Sequence, residues 1–132
     1  MIDFTSNAFE IALQRIENDP SVCELQEYNL IRLSEIDELS QSVDQKIRLS
    51  NDNYNREIEL LNTIYDRKVQ SFWTSNNTKH AAEWTYYKNL ENSKAKFDIE
   101  FNKYENELER LKQERCIIKC IMYECERRKM QA

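Results

Sequence analysis

The fold of this chain is decided by the stretch from Tyr87 to Cys125, which reads YKNLENSKAKFDIEFNKYENELERLKQERCIIKCIMYEC. Its inward-facing positions recur at alternating intervals of three and four residues, which is the pattern of a coiled-coil helix. Those positions are Tyr87, Leu90, Lys94, Phe97, Phe101, Tyr104, Leu108, Leu111, Arg115, Ile118, Met122 and Cys125. The repeat predicts a long helix over residues 80–130. We call the row of inward-facing positions the seam. Lys94 and Arg115 are charged residues at seam positions, where we expect them to fix the register of the helix pair.

The rest of the chain lacks the residues from which tight turns are made. Among 132 residues there is no glycine, and the one proline is Pro20. Phosphate-binding loops, nucleophile elbows and helix-ending caps depend on glycine, because only a residue without a Cβ adopts positive φ at low cost. Long helices need none of these features. The composition therefore predicts an all-α protein.

A second heptad pattern precedes the first one and predicts a partner helix over residues 22–73. Its inward positions are Leu33, Ile36, Ser40, Val43, Ile47, Ser50, Tyr54, Ile58, Leu61, Tyr65 and Phe72. A short polar turn over residues 74–79 separates two helices of similar length, which predicts an antiparallel coiled-coil hairpin. Facing residues should then have numbers that sum to about 153, so that Tyr65 lies near Tyr87.

The charges of the two predicted helices favour their pairing with each other. Residues 1–66 contain 14 acidic and 5 basic side chains, whereas residues 67–132 contain 10 acidic and 14 basic side chains. Each ion pair between such helices contributes only tenths of a kcal/mol. The summed contribution of these ion pairs still disfavours pairing of either helix with its own copy. A hairpin formed between two chains by domain swapping is an alternative.

Residues 1–20 predict a short amphipathic helix, and residues 21–132 predict the hairpin. Ala8, Phe9, Ala12, Leu13 and Ile16 share one face of the short helix. The end of the last helix, residues 116–125, is apolar nearly all round, which indicates burial on more than one side. Two interpretations are open. The N-terminal helix folds back onto this base, or the base docks a partner or a second copy through Ile117 and Ile121.

Four large aromatic residues gather around the predicted turn. They are Trp73, Trp84, Tyr86 and Tyr87. Either they seal the end of the hairpin, or they form a binding knob, since Trp and Tyr are frequent anchors of protein interfaces. The candidate partner-binding residues from the whole sequence are Trp73, Trp84, Tyr86, Ile117 and Ile121.

The sequence predicts no catalytic, cofactor-binding or metal-binding residue. Cys116 and Cys120 are four residues apart, but a closed zinc site needs four ligands and no further ligand is near them in sequence. We expect them to be buried, and we expect all four cysteines to be reduced thiols, because three of them share one predicted helix. His80 has no neighbouring pattern that would activate it as a base. We therefore expect a protein that is not an enzyme and needs no cofactor.

One part of the sequence resembles a known family. The stretches that carry the resemblance are Glu35-Ile36-Asp37 with Leu39, Ile47, Tyr54-Asn55, Tyr65-Asp66-Arg67-Lys68 and Phe72-Trp73. They resemble the long dimerisation helix of the nucleosome-assembly-protein histone chaperones. The resemblance covers under a third of the chain. That family continues into a β-rich histone-binding domain, whereas here a second heptad helix follows and the C-terminus is basic. The resemblance implies, as an alternative function, an acidic chaperone that binds histones or other basic proteins.

We therefore expect a coiled-coil subunit or adaptor that bridges partners in a larger protein assembly. The expected partners are other proteins, helical ones in particular, with a homo-oligomer as an alternative. A net charge of −5 disfavours nucleic acid as a partner. No apolar run approaches the ~20 residues of a membrane span, and we expect a cytoplasmic location, with the nucleus as the alternative.

Overall fold

The structure is a computed structural model that describes residues 4–70 and 75–131. The described residues form three α-helices and one short 3-10 turn. They are α1 (Phe4–Asn18), the 3-10 turn (Pro20–Cys23), α2 (Gln26–Gln70) and α3 (Asn76–Gln131). The helices α2 and α3 pack against each other as a hairpin, and α1 packs on α3. The prediction of an all-α hairpin with a short N-terminal helix is confirmed.

The long helices begin at other residues than the sequence predicts. The α2 helix begins at Gln26 rather than at residue 22, because Asp19 caps a separate 3-10 turn by accepting the backbone N–H of Ser21 at 3.2 Å. The α3 helix begins at Asn76 rather than at residue 80. Ser75 caps it, since its Oγ accepts the backbone N–H of Thr78 at 3.2 Å. Residues 71–74, where the first long helix was predicted to end, lie outside the described residues.

The chain divides into two compact units. The terminal unit contains residues 1–43 and 106–132, and its core lies between α1 and α3. Six buried side chains form this core: Ala8, Ala12, Ile16, Ile117, Ile121 and Cys125. The two alanines are fully buried because their small side chains allow α1 to approach α3 closely. The interpretation in which the N-terminal helix folds back onto residues 116–125 is the one that the core supports.

A disulfide bond joins Cys23 to Cys125 within the terminal unit. Their Cα atoms are 5.2 Å apart, and 102 residues separate them in sequence. The expectation of four reduced thiols is therefore wrong for this pair. It assumed that one helix holds the relevant cysteines, whereas the 3-10 turn carries Cys23 to the face of α3 that bears Cys125. Cys116 and Cys120 are free thiols, and they are half-buried rather than fully buried.

The central unit contains residues 44–105, where aromatic rings of α2 stack on rings of α3. Tyr54 stacks on Phe97 with ring centroids 4.7 Å apart, and the numbers of this pair sum to 151 rather than to the predicted 153. Tyr65 stacks on Tyr86, also at 4.7 Å, and not on the predicted Tyr87. The register along the chain is thus predicted to within one or two residues, and Tyr87 is left on the surface.

The seam of α3 passes through small and polar side chains in the central unit. Ser93 is buried, and half-buried Glu100 accepts a hydrogen bond of 2.8 Å from the Oγ of Ser50 on α2. Lys94, which the repeat placed in the seam, is exposed. In the terminal unit Arg115 is exposed as well and forms an ion pair of 3.3 Å with Asp37. The prediction that Lys94 and Arg115 lie in the seam is wrong, because at each position the preceding residue, Ser93 or Glu114, is the more buried one.

Candidate interaction surface

An aromatic cluster of Tyr65, Trp84, Tyr86 and Tyr87 lies on the central unit. The rings of Tyr86 and Tyr87 meet edge to face with centroids 5.4 Å apart. The hydroxyl of Tyr86 donates a hydrogen bond to Oδ1 of Asn62 on α2. Partial burial and the carboxylate of Glu83 raise the pKa of Tyr65, so its hydroxyl stays protonated at neutral pH. Tyr65 and Tyr86 are therefore structural members of the cluster.

The other two members of the aromatic cluster face solvent. Trp84 is 65% exposed and Tyr87 is 60% exposed. Successive residues of an α-helix are rotated by about 100°. When Tyr86 points toward α2, Trp84 and Tyr87 must point away from it. The ammonium of Lys88 lies 4.7 Å from the centre of the Trp84 ring, in a cation–π contact that leaves the rest of the indole open.

The five candidate partner-binding residues differ in whether they are exposed at the surface. Trp84 is exposed and Tyr86 is half-buried in the aromatic cluster. Ile117 and Ile121 are each only 4% exposed and belong to the core with α1, so they are not available at the surface. Trp73 lies outside the described residues.

An acidic flank runs along one side of the central unit. Each of its carboxylates directly follows an inward-facing residue, which in an antiparallel pair places them on the same side of both helices. They are Asp44, Glu59, Asp66, Glu83, Glu91, Asp98 and Glu105, all exposed. Two cations, Arg48 and Lys94, follow inward-facing residues on the same flank. The local surface is therefore negative although residues 44–105 hold equal numbers of acidic and basic side chains.

The terminal unit contains a buried carboxylate that sequence analysis passed over. Glu124 is fully buried and accepts hydrogen bonds from Arg127 at 2.6 and 2.9 Å and from Arg128 at 3.1 Å. These hydrogen bonds, of which those from Arg127 matter most, lower its pKa to about 2 against the opposing effect of burial. The sequence pattern that could have predicted this buried carboxylate is a Glu followed by Arg three and four residues later, at the end of a mostly apolar stretch of helix.

The groups that catalysis or metal binding would use are dispersed. In the described part of the chain, no three His, Cys, Asp or Glu side chains come together as ligands for a metal ion. Burial, with a smaller effect from Cys116, raises the pKa of the Cys120 thiol, which makes it a weaker nucleophile at neutral pH. His80 is exposed near the start of α3 and makes no hydrogen bond or ion pair with a described residue.

None of the helices within residues 4–70 and 75–131 carries an apolar stretch of the length that a membrane crossing requires. Comparison of the chain with protein-family models, with curated proteins and with solved structures found no match. The function therefore has to be argued from the surfaces described above.

Proposed function

We propose that this chain is a non-enzymatic interaction protein, a coiled-coil subunit or adaptor that bridges partners in a larger assembly. The observation that carries the proposal is the exposure of Trp84 and Tyr87 beside the well-packed pair of Tyr65 and Tyr86. Trp and Tyr are the residue types that most often dominate binding energy at protein interfaces. The ring of Tyr87 already rests edge to face on Tyr86 of the stacked pair, so less of its side-chain entropy is lost when a partner binds.

The partner at the aromatic cluster is a protein with an apolar pocket. Two exposed rings next to each other offer a larger apolar area than single surface residues, and such patches mark interaction sites. Nucleic acid is disfavoured as a partner because the acidic flank lies on the same unit and would repel phosphates.

A chaperone for histones or other basic proteins is the second candidate, and the acidic flank is the observation that favours it. Seven exposed carboxylates line one side of the central unit. Binding that rests on this flank alone would weaken steeply with salt, because exposed charges are screened within about 10 Å at 0.1 M ionic strength. Binding at the aromatic cluster would persist under the same conditions.

The expected cytoplasmic or nuclear location now depends on the state of Cys23 and Cys125. Disulfides persist in oxidising compartments, and glutathione keeps cytosolic thiols reduced. The bond between these two residues favours an oxidising compartment over the cytoplasm. Thiol alkylation in intact cells, followed by mass spectrometry of the two cysteine peptides, tests this point.

The test of the proposed function compares two matched double variants. Trp84→Ala with Tyr87→Ala removes both exposed rings of the aromatic cluster. Tyr28→Ala with Tyr123→Ala removes two rings of the terminal unit that are equally exposed, at 62% and 65%. The full chain, bearing an affinity tag, is expressed in cells, and bound proteins are quantified by mass spectrometry.

We expect the Trp84 and Tyr87 variant to lose its specific partners with an unchanged circular dichroism spectrum. The Tyr28 and Tyr123 variant should retain them. Equal recovery of partners by both variants would refute the assignment of the binding site. Recovery of basic proteins only, released by moderate salt, would favour the chaperone function.

A further inference from the structure

A second exposed surface of the central unit lies opposite the acidic flank. It carries the unit's exposed large aliphatic side chains, each of which directly precedes an inward-facing residue. They are Leu49, Leu60, Ile64 and Ile99, between 41% and 71% exposed, and no other large aliphatic side chain among the described residues of this unit is as exposed. Because α2 and α3 are antiparallel, residues that precede inward positions share one side of both helices. We call this side the aliphatic flank.

The aliphatic flank is also basic. Lys46, Lys96 and Lys103 likewise precede inward-facing residues and are exposed. None of the three forms an ion pair with a described residue. Among the exposed described residues that precede inward positions in this unit, Glu57 is the one with a carboxylate side chain. The ammonium of Lys103 lies 6.0 Å from the centre of the Tyr104 ring. The flank thus combines a row of apolar side chains with positive charges that are not in ion pairs.

Two clefts between α2 and α3 open on the aliphatic flank. The first has a volume of about 80 Å³ and is bordered by Asn53, Glu57 and Lys96. The second has a volume of about 60 Å³ and is bordered by Ile64 and Asn89. Each exceeds the roughly 15 Å³ that a single water molecule needs, so the tip of an aliphatic side chain fits.

The two clefts are spaced by eleven residues on both helices. Ile64 of the second cleft follows Asn53 of the first by eleven residues, and Asn89 precedes Glu100 by eleven residues. Eleven residues of α-helix span about 16.5 Å and make almost three whole turns, so side chains at that interval lie on one face of a helix. In a coiled-coil helix a d position and the second a position after it are eleven residues apart, and such side chains insert as knobs between the residues of neighbouring helices.

We propose that the aliphatic flank binds an acidic amphipathic helix of another protein, which packs along α2 and α3 as a third strand. The spacing of the clefts by almost three helical turns selects a helix, the exposed aliphatic row selects an apolar stripe on it, and the lysines without ion pairs select carboxylates beside that stripe. The inference rests on the proposed function, since it assigns the chemistry of one of the bridged partners.

A second copy of this chain fits the aliphatic flank less well. Two aliphatic flanks in contact would bring lysines against lysines, and like charges in contact are unfavourable. The acidic flank of another copy would match the charge. It would, however, set Asn51, Asn55 and other polar side chains against the aliphatic row. Both arrangements leave several groups without complementary partners. An acidic amphipathic helix complements the aliphatic row and the lysines, and among the described residues of the flank only Glu57 opposes its charge.

The test uses a synthetic four-heptad peptide with Leu at the a and d positions and Glu at the e and g positions. A second peptide with Lys in place of Glu is the charge control. Binding of each labelled peptide to the full-length chain is measured by fluorescence anisotropy at physiological salt. We expect the Glu peptide to bind at least about tenfold more tightly than the Lys peptide.

Two pairs of variants locate the binding site. Leu60→Gln with Ile99→Gln should weaken binding of the Glu peptide by about tenfold or more, since Gln keeps helix propensity but removes apolar contact. Asn55→Gln on the acidic flank is its control and should change nothing. Lys96→Glu with Lys103→Glu should abolish the preference for the Glu peptide. Arg48→Glu with Lys94→Glu, on the acidic flank, should preserve it.

The outcomes separate this inference from the proposed function. Equal binding of the two peptides, or equal binding by Leu60→Gln with Ile99→Gln and by the wild-type chain, would overturn the inference. Sedimentation that shows self-association of the wild-type chain, lost in the same variant, would assign the flank to a second copy instead. In each case, loss of cellular partners on substitution of Trp84 and Tyr87 would still support the bridging function at the aromatic cluster.

Discussion

Breaking the bond between Cys23 and Cys125 should lower the stability of the folded chain substantially. In the chain-entropy treatment, a cross-link between residues about 100 apart restricts the unfolded chain by about 4.7 kcal/mol at 25 °C. Native disulfides typically contribute less than that limit, about 2–4 kcal/mol. For a chain of this length we expect the midpoint of thermal unfolding to fall by roughly 10 °C.

The assay is thermal unfolding followed by circular dichroism, with and without a reducing agent. The wild-type chain and Cys116→Ser with Cys120→Ser should both lose stability on reduction. Cys23→Ser with Cys125→Ser should start at the lower midpoint and show no further change. If alkylation under native conditions finds four free thiols in the purified chain, or if the reducing agent leaves the wild-type midpoint unchanged, the reasoning is refuted.

Three further substitutions test the interior of the chain. Because the pKa of Glu124 is depressed from 4.5 in the reference state to about 2, its contribution to stability is present above about pH 4.5 and is lost as the pH falls toward 2. Urea unfolding should therefore show a steeper loss in this range for the wild-type chain than for Glu124→Gln, and parallel curves would contradict the depressed pKa. Ile118→Ala, at a position 3% exposed, should cost about 2–5 kcal/mol in the same assay, whereas a cost below about 0.5 kcal/mol would show that the site is not tightly packed. Ser50→Ala removes the donor to Glu100 and should cost about 1–3 kcal/mol, and a Glu100→Gln background should reduce that cost if the hydrogen bond is its cause.

The helices could be predicted from the sequence because their signals are local and repeated. A chain without glycine and with heptads on both sides of one polar segment has few alternatives to a hairpin. The stacking of Tyr54 on Phe97 follows from the same pattern, since equal spacing on both helices fixes the register. The numbers of Tyr65 and Tyr86 sum to 151, as those of Tyr54 and Phe97 do, so the whole pairing is offset by two residues from the predicted sum. That sum depends on where the turn is centred, which the heptad pattern does not fix to the residue.

The disulfide and the aliphatic flank could not be predicted by the same reasoning. Cys23 and Cys125 lie at opposite ends of the chain, and only the fold of α1 and the 3-10 turn brings them together. Leu60 and Ile99 look like ordinary surface residues when each helix is taken alone. They form one surface only in the hairpin, where α2 and α3 place them on the same side of the central unit. The burial of Glu124 could not be predicted for a different reason. A search for apolar positions does not consider a carboxylate, although Arg127 and Arg128 of the same helix balance its charge.

The hydrogen bond between Ser50 and Glu100 also restricts how α2 and α3 can slide along each other. Heptad helices tolerate displacement by seven residues, since Leu, Ile, Tyr and Phe recur at equivalent positions and most apolar contacts would be replaced by similar ones. Such a displacement separates Ser50 from Glu100 and leaves a half-buried carboxylate without its donor, at a cost of about 1–3 kcal/mol. A single polar contact thereby selects one alignment from a set of nearly equivalent ones, and any surface built from both helices, including the spacing of the clefts, keeps its geometry as a result.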